Sequence, residues 1–219
     1  MTHLSPYIDH TLLRPTSNET DIRKLCEEAW IHQFKAVCVA PTFVAYTKEM
    51  LEYCPVKIEI ATVIGFPLGF STTASKMFEA RAALADGASE LDVVMNISQF
   101  KSMAYLSVRD ELRQLADLVH DNGAKLKVII ETAYLDSFEL YTICEICSEA
   151  QADFVNTSTG FAPTGAKVET IQKLRSILPP QIKIKASGGI DTYEQASSLI
   201  QAGAERIGTS SGASIVTTA

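Results

Sequence analysis

No apolar run among the 219 residues is long enough to cross a bilayer. The longest, 60–70, is interrupted by Gly65, Pro67 and Gly69, and a membrane helix requires ~20 apolar residues. Basic residues are also short: 19 Lys and Arg stand against 26 Asp and Glu, a net charge of −7, and no Lys/Arg-rich run relieves that balance. The surface therefore carries no footprint for nucleic acid or for an anionic membrane, and an anionic ligand has to be held locally. The first six residues, Met1 to Pro6, have neither a basic n-region nor an apolar h-region, so the expected compartment is the cytoplasm. The five cysteines are an odd number without a dense framework, as in a reducing compartment. Cys144 and Cys147 form a CxxC inside a helical-looking stretch, with no second pair or His partner, and read as packed helix cysteines rather than a metal or redox site. No GxGxxG follows the first strand, and no linker or composition shift divides the chain.

Present instead is a regular alternation. Short β-branched runs at 7–11, 36–40, 58–64, 91–95, 126–131, 153–157, 182–186 and 205–208 read as eight strands. Their spacing is close to the roughly 30 residues of one strand–loop–helix–loop unit. Helical periodicity fills gaps at 19–32, 76–86, 106–119 and 137–150. Ser71, Thr164 and Asp191 stand where N-caps belong, and Gly87, Gly123 and Gly203 where helices stop. Eight such units predict an α/β fold, a single-domain TIM (β/α)8 barrel over 1–219, with an open doubly wound sheet as the weaker alternative.

In such a barrel the reacting groups sit at the C-terminal strand ends, above an interior normally filled by branched apolar side chains. Polar residues inside strands are therefore informative. Period two puts Asp92, Val94 and Asn96 on one face of their strand; Lys127 and Lys185 interrupt two others, and Lys183, at the start of its strand, is expected to be exposed. Facing inward, these groups would form either a small reactive cavity with a perturbed lysine or a structural ion pair beneath one. Cys38, near the end of the second strand, could face the same pocket, or serve as a small buried apolar residue. Two glycine-rich loops, Ser187-Gly188-Gly189-Ile190 and Gly208-Thr209-Ser210-Ser211-Gly212, follow the last two strands. Loops in those positions are the usual phosphate cradle of the fold, so a phosphorylated small molecule is the expected ligand.

Several blocks in unbroken order then resemble one family, deoxyribose-phosphate aldolase. They include Ile8-Asp9-His10-Thr11-Leu12-Leu13, Val63-Ile64-Gly65-Phe66-Pro67-Leu68-Gly69, Glu90-Leu91-Asp92-Val93-Val94-Met95-Asn96, Lys127-Val128-Ile129-Ile130-Glu131-Thr132, Thr157-Ser158-Thr159-Gly160-Phe161 and Lys185-Ala186-Ser187-Gly188-Gly189-Ile190. The resemblance implies a class I aldolase without metal or organic cofactor. Such an enzyme reversibly splits 2-deoxy-D-ribose 5-phosphate into D-glyceraldehyde 3-phosphate and acetaldehyde, often as a homodimer. It implies a Schiff-base lysine, with Asp92 and Lys185 matching the family's proton-handling aspartate and second lysine. It also implies a substrate and phosphate site that takes in Thr159, Gly160, Ser187, Gly188, Gly189, Gly208, Ser210 and Ser211. Asp9 joins the proton network on the same ground.

The nucleophile departs from the family pattern. Its position reads Asn156, and an amide nitrogen cannot condense with an aldehyde because its lone pair is delocalised. Ala40, where many relatives carry Asn, is a milder departure. The expectation is a chain that binds the sugar phosphate and turns it over poorly. Two alternatives stand beside it: a non-catalytic sugar-phosphate-binding barrel, and a rewired, isomerase-like barrel using Asp92 or Glu131 as base.

Overall fold

The computed structural model describes residues 3–217. Eight parallel strands, β1 (Ile8–Leu12), β2 (Ala36–Val39), β3 (Glu59–Ile64), β4 (Glu90–Val94), β5 (Lys125–Ile129), β6 (Phe154–Asn156), β7 (Lys183–Ser187) and β8 (Arg206–Thr209), pair in sequence order, and β8 returns to β1 to close the barrel. Each lies within two residues of its expected position. Helices α1 (Glu19–His32), α2 (Val44–Leu51), α3 (Thr73–Asp86), α4 (Ile97–Lys101), α5 (Tyr105–Asp121), α6 (Ser137–Glu149), α7 (Val168–Ile177), α8 (Tyr193–Gln201) and α9 (Gly212–Thr217) follow the strands. This is the α/β TIM barrel that the sequence implies.

The three expected N-caps are each displaced, for reasons the contacts supply. Thr72, not Ser71, accepts the Ser75 N–H at the start of α3. Thr192, not Asp191, caps α8, because the Asp191 carboxylate is drawn across to the Ser211 hydroxyl at 2.8 Å. Thr164 lies short of α7, whose N-cap is Lys167: the chain first crosses the glycine loop, with the Ala166 N–H donating to Ser187 O at 3.1 Å. Cys144 and Cys147 are buried in α6, where burial pushes the Cys144 thiol up to about 12 and the Cys147 thiol well above its ordinary value, as packing cysteines require.

Strand parity separates two interiors. Outward-facing Ile8, Leu91, Val93, Leu126, Val128, Ile184 and Ile207 are buried in one continuous apolar layer under the helices. Inside the barrel the expected branched apolar filling is largely missing. A small cluster of Cys38, Ala61 and Val63 occupies one side, and beside Ile129 and Phe154 the interior holds Asp9, Glu90, Asp92, Lys127, Lys185 and Arg206, none more than 3% exposed. Three acids and three bases neutralise one another. Lys127 Nζ lies 2.5 Å from Asp92 Oδ1 and 2.7 Å from Glu90 Oε2; Lys185 Nζ lies 2.7 Å from both Asp9 Oδ2 and Asp92 Oδ2; Arg206 pairs with Glu90 at 2.8 Å and with Asp9. Burial alone would raise the carboxyl pKa values, but the surrounding cations dominate, holding Glu90 at about 2 and Asp9 lower still. Lys183, of the same parity, is exposed at the strand start as expected.

A second buried pair braces β4 from behind. Lys76 Nζ, in the first turn of α3, donates to Glu111 Oε1 of α5 at 2.6 Å and to the Val94 carbonyl at 2.8 Å, fixing the strand end just beyond Asp92.

The depressed carboxyl values give stability a sign against pH. Groups ionised more easily in the folded state than in the unfolded chain contribute fully above the ordinary carboxylate range, and their contribution fades as pH falls through the folded values. Glu90 alone, moving from 4.5 to about 2, corresponds to ~3 kcal/mol as an order of magnitude. Urea unfolding followed against pH should show stability dropping steadily from about pH 5 to about pH 2. A flat profile through that window would contradict the ionic interior.

Candidate active site

The C-terminal ends of the strands surround a cavity of about 890 Å³. Asp92, Asn156 and Lys185 form its floor, Cys38, Val63, Phe66 and Ile129 one wall, and the loops after β7 and β8 the opposite wall. Of the residues singled out in the sequence, Thr159, Gly160, Ser187, Gly188, Gly189, Gly208, Ser210 and Ser211 all line this space. Asp9 and Lys127 do not. They lie beneath the floor, fully buried, as the supports of Asp92 and Lys185.

The floor is a closed set of polar contacts. Asp92 Oδ2 accepts from Lys185 Nζ at 2.7 Å and from Asn156 Nδ2 at 3.2 Å, while Oδ1 takes Lys127 at 2.5 Å. The Asn156 Oδ1 accepts from Ser187 Oγ at 2.6 Å. The carboxamide thus uses its donor toward the carboxylate and its acceptor toward β7, a neutral bridge between them. Register explains the meeting: Asn156 pairs with Lys185 across β6 and β7, and Asp92 with Lys127 across β4 and β5.

As the floor stands, none of its groups is a good nucleophile. The Asn156 nitrogen is an amide. Burial opposes the charge on Lys185, but Asp9 and Asp92 outweigh it and raise its pKa far above the lysine range, so the amine holds its proton. Burial pushes the Cys38 thiol up to about 12, leaving it protonated. The floor offers N–H donors for a carbonyl or hydroxyl oxygen.

The glycine loops permit close backbone approach. A Cβ on Gly208 would lie 2.9 Å from Lys185 Cε, and Gly188 and Gly189 both take positive φ, 87° and 70°. Ser211 spends its N–H on Thr209 Oγ1 at 2.9 Å and its hydroxyl on Asp191, so of the two serines Ser210 has the freer donors. Sequence reasoning missed Arg14 and Lys24, two cationic side chains at the mouth; Arg14's place in the loop after β1 was the available signal. Glu90 and Arg206 were missed as well. Each shares its strand parity with a residue already singled out, Asp92 and Gly208.

The model of the DeoC/LacD family aldolases matches residues 5–217. The deoxyribose-phosphate aldolase of Thermococcus gammatolerans is 50% identical over 213 residues, spanning 97% of this chain and 95% of its own. That of Thermococcus kodakarensis is 49% identical over the same shares. Among solved structures, the aldolase QR15 superposes with a TM-score of 0.94 at 43% identity, covering 100% of this chain and 96% of its own. The tetrameric deoxyribose phosphate aldolase of Aeropyrum pernix gives 0.91 at 35% identity, covering 98% and 90%. With a closed eightfold barrel, a polar floor at its C-terminal end and a match over nearly every residue, the chain belongs to the DeoC/LacD family of aldolases.

Proposed function

We propose that this chain is a deoxyribose-phosphate aldolase in which the sugar-phosphate site is kept and covalent catalysis is severely impaired. One observation carries the proposal: Asn156 occupies the point where Asp92, Lys185 and Ser187 converge on the cavity. With an amine at that point, C1 of open-chain 2-deoxy-D-ribose 5-phosphate would condense with it, losing water to form an imine. Removal of the C3 hydroxyl proton would then break the C2–C3 bond, releasing D-glyceraldehyde 3-phosphate and leaving an enamine. Protonation at C2 and hydrolysis would release acetaldehyde and free the amine. Asp92 and Lys185 would exchange the protons. Asn156 stops the sequence before its first covalent bond.

Charge balance explains what an amine would do there. The present interior holds three negative and three positive charges, all buried. An amine there would be a fourth buried cation without a compensating acid, and the least costly response is loss of its proton, which makes it a nucleophile. The isomerase-like alternative loses one of its two candidate bases, because Glu131 does not line the cavity. The non-catalytic alternative differs from the main reading only in whether restored chemistry is possible. Self-association as a homodimer is supported by Phe78, Leu106 and Phe138, each at least 66% exposed on the adjacent helices α3, α5 and α6.

Asn156→Lys should raise retro-aldol activity by several orders of magnitude and give a borohydride-stabilised adduct with acetaldehyde at position 156 by mass spectrometry. If the variant folds and binds the sugar phosphate but forms no adduct, the non-catalytic reading replaces this one. Ligand protection checks the retained site in the unaltered chain. Deoxyribose 5-phosphate should raise the thermal midpoint and unphosphorylated deoxyribose much less, by preferential binding to the folded state. Equal protection by the two sugars would remove the phosphate assignment.

A further inference from the structure

Four residues other than glycine take positive φ among the described residues: Gln33, Met103, Glu131 and Gln151. Gln33, Met103 and Gln151 follow the ends of α1, α4 and α6, where a left-handed residue is the ordinary way to stop a helix. Glu131, at φ 49°, follows β5 and has no such reason. A non-glycine residue is held there only when its surroundings over-determine it.

The side chain shows what holds it. Glu131 is 2% exposed, and its Oε2 accepts both the Thr159 N–H, at 3.2 Å, and the Thr159 hydroxyl. The Phe161 N–H donates to Thr159 Oγ1 at 3.0 Å, so that hydroxyl's own hydrogen is free to go to Glu131. One residue along, the Thr132 N–H donates to the Thr157 carbonyl at 2.8 Å. The loop after β5 therefore grips the loop after β6 at two points. That second loop presses on the glycine loop after β7: a Cβ added to Gly188 would meet Ser158 Cβ at 3.4 Å and Gly160 Cα at 3.5 Å. Glu131 Oε1 is buried without a hydrogen-bond partner, so the carboxylate has given up water for the Thr159 contact alone.

We infer that Glu131 is a positioning residue for phosphate recognition: by clamping Thr159 it fixes Ser158 and Gly160 against Gly188, and so sets the shape of the cradle after β7. Glu131 touches neither the cavity nor the reacting atoms and acts through the loop it holds. This inference rests on the phosphate reading proposed above.

Calorimetric titration with deoxyribose 5-phosphate, together with thermal melts, tests it on the unaltered chain and three variants. Glu131→Ala should weaken binding about tenfold, whereas Glu131→Gln, which keeps an acceptor oxygen for Thr159, should stay within about threefold of the parent. Glu131→Gly separates positioning from mere stability. Glycine takes this φ without strain, so its thermal midpoint should equal or exceed that of Glu131→Ala, yet its binding should be as weak. Binding by Ala and Gly variants as tight as the parent's would overturn the inference and leave the phosphate reading intact. An affinity that recovers in Glu131→Gly along with the melting point would also overturn it. A parent chain that does not bind the sugar phosphate would overturn both.

Discussion

Asp92 accepts hydrogen bonds from Lys127 below it and from Lys185 and Asn156 beside it, and the rest of the barrel is arranged around that carboxylate. Each of its partners is itself paired: Lys127 with Glu90, Lys185 with Asp9, and both acids with Arg206. Six ions in a space that usually holds aliphatic side chains are tolerable only as a complete set, because a buried charge deprived of its partner costs several kcal/mol, about 3 to 5 in measured cases. The arrangement contributes little net stability compared with well-packed apolar residues. It contributes placement instead. The side chains on the cavity floor are held by charge and hydrogen bonding from beneath, and the Lys76–Glu111 pair secures the end of β4 from the helix layer.

Asn156 fits that balance, and under the proposed function it is where the covalent chemistry would stop. A carboxamide can bridge Asp92 and Ser187 without adding charge, so the floor is electrically complete while lacking a nucleophile. Catalytic sites commonly carry groups whose protonation states are forced apart by their surroundings, at some cost to stability. Here that tension is relieved at Lys185, which two carboxylates hold as a cation.

Period and parity carried most of the architecture in the sequence, since eight β-branched runs at regular spacing admit few folds. The same parity put Asp92, Lys127 and Lys185 among the informative residues. Depth along the barrel axis is what parity cannot give. Asp9 and Lys127 face inward like the others, but strand stagger leaves them below the floor, where they support the site without lining it. Glu90 escaped because the strand begins one residue before its expected start, and Arg206 because the reading of its strand centred on the glycine loop that follows. Thr164 failed as a cap because the loop after β6 is pinned to the loop after β7, a tertiary contact that local signals do not encode. The left-handed backbone at Glu131 has no sequence signature at all, since glutamate rarely adopts it.

A complete and neutral set of buried ions decides the protonation state of anything placed at position 156. The decisive measurement is a titration of the amine introduced by Asn156→Lys, using NMR of isotope-labelled lysine side chains across pH with Lys185 observed in the same sample. The new amine should lose its proton several units below the ordinary lysine value of about 10.4, while Lys185 stays protonated throughout. A new amine titrating near that ordinary value, or a proton lost first from Lys185, would contradict it.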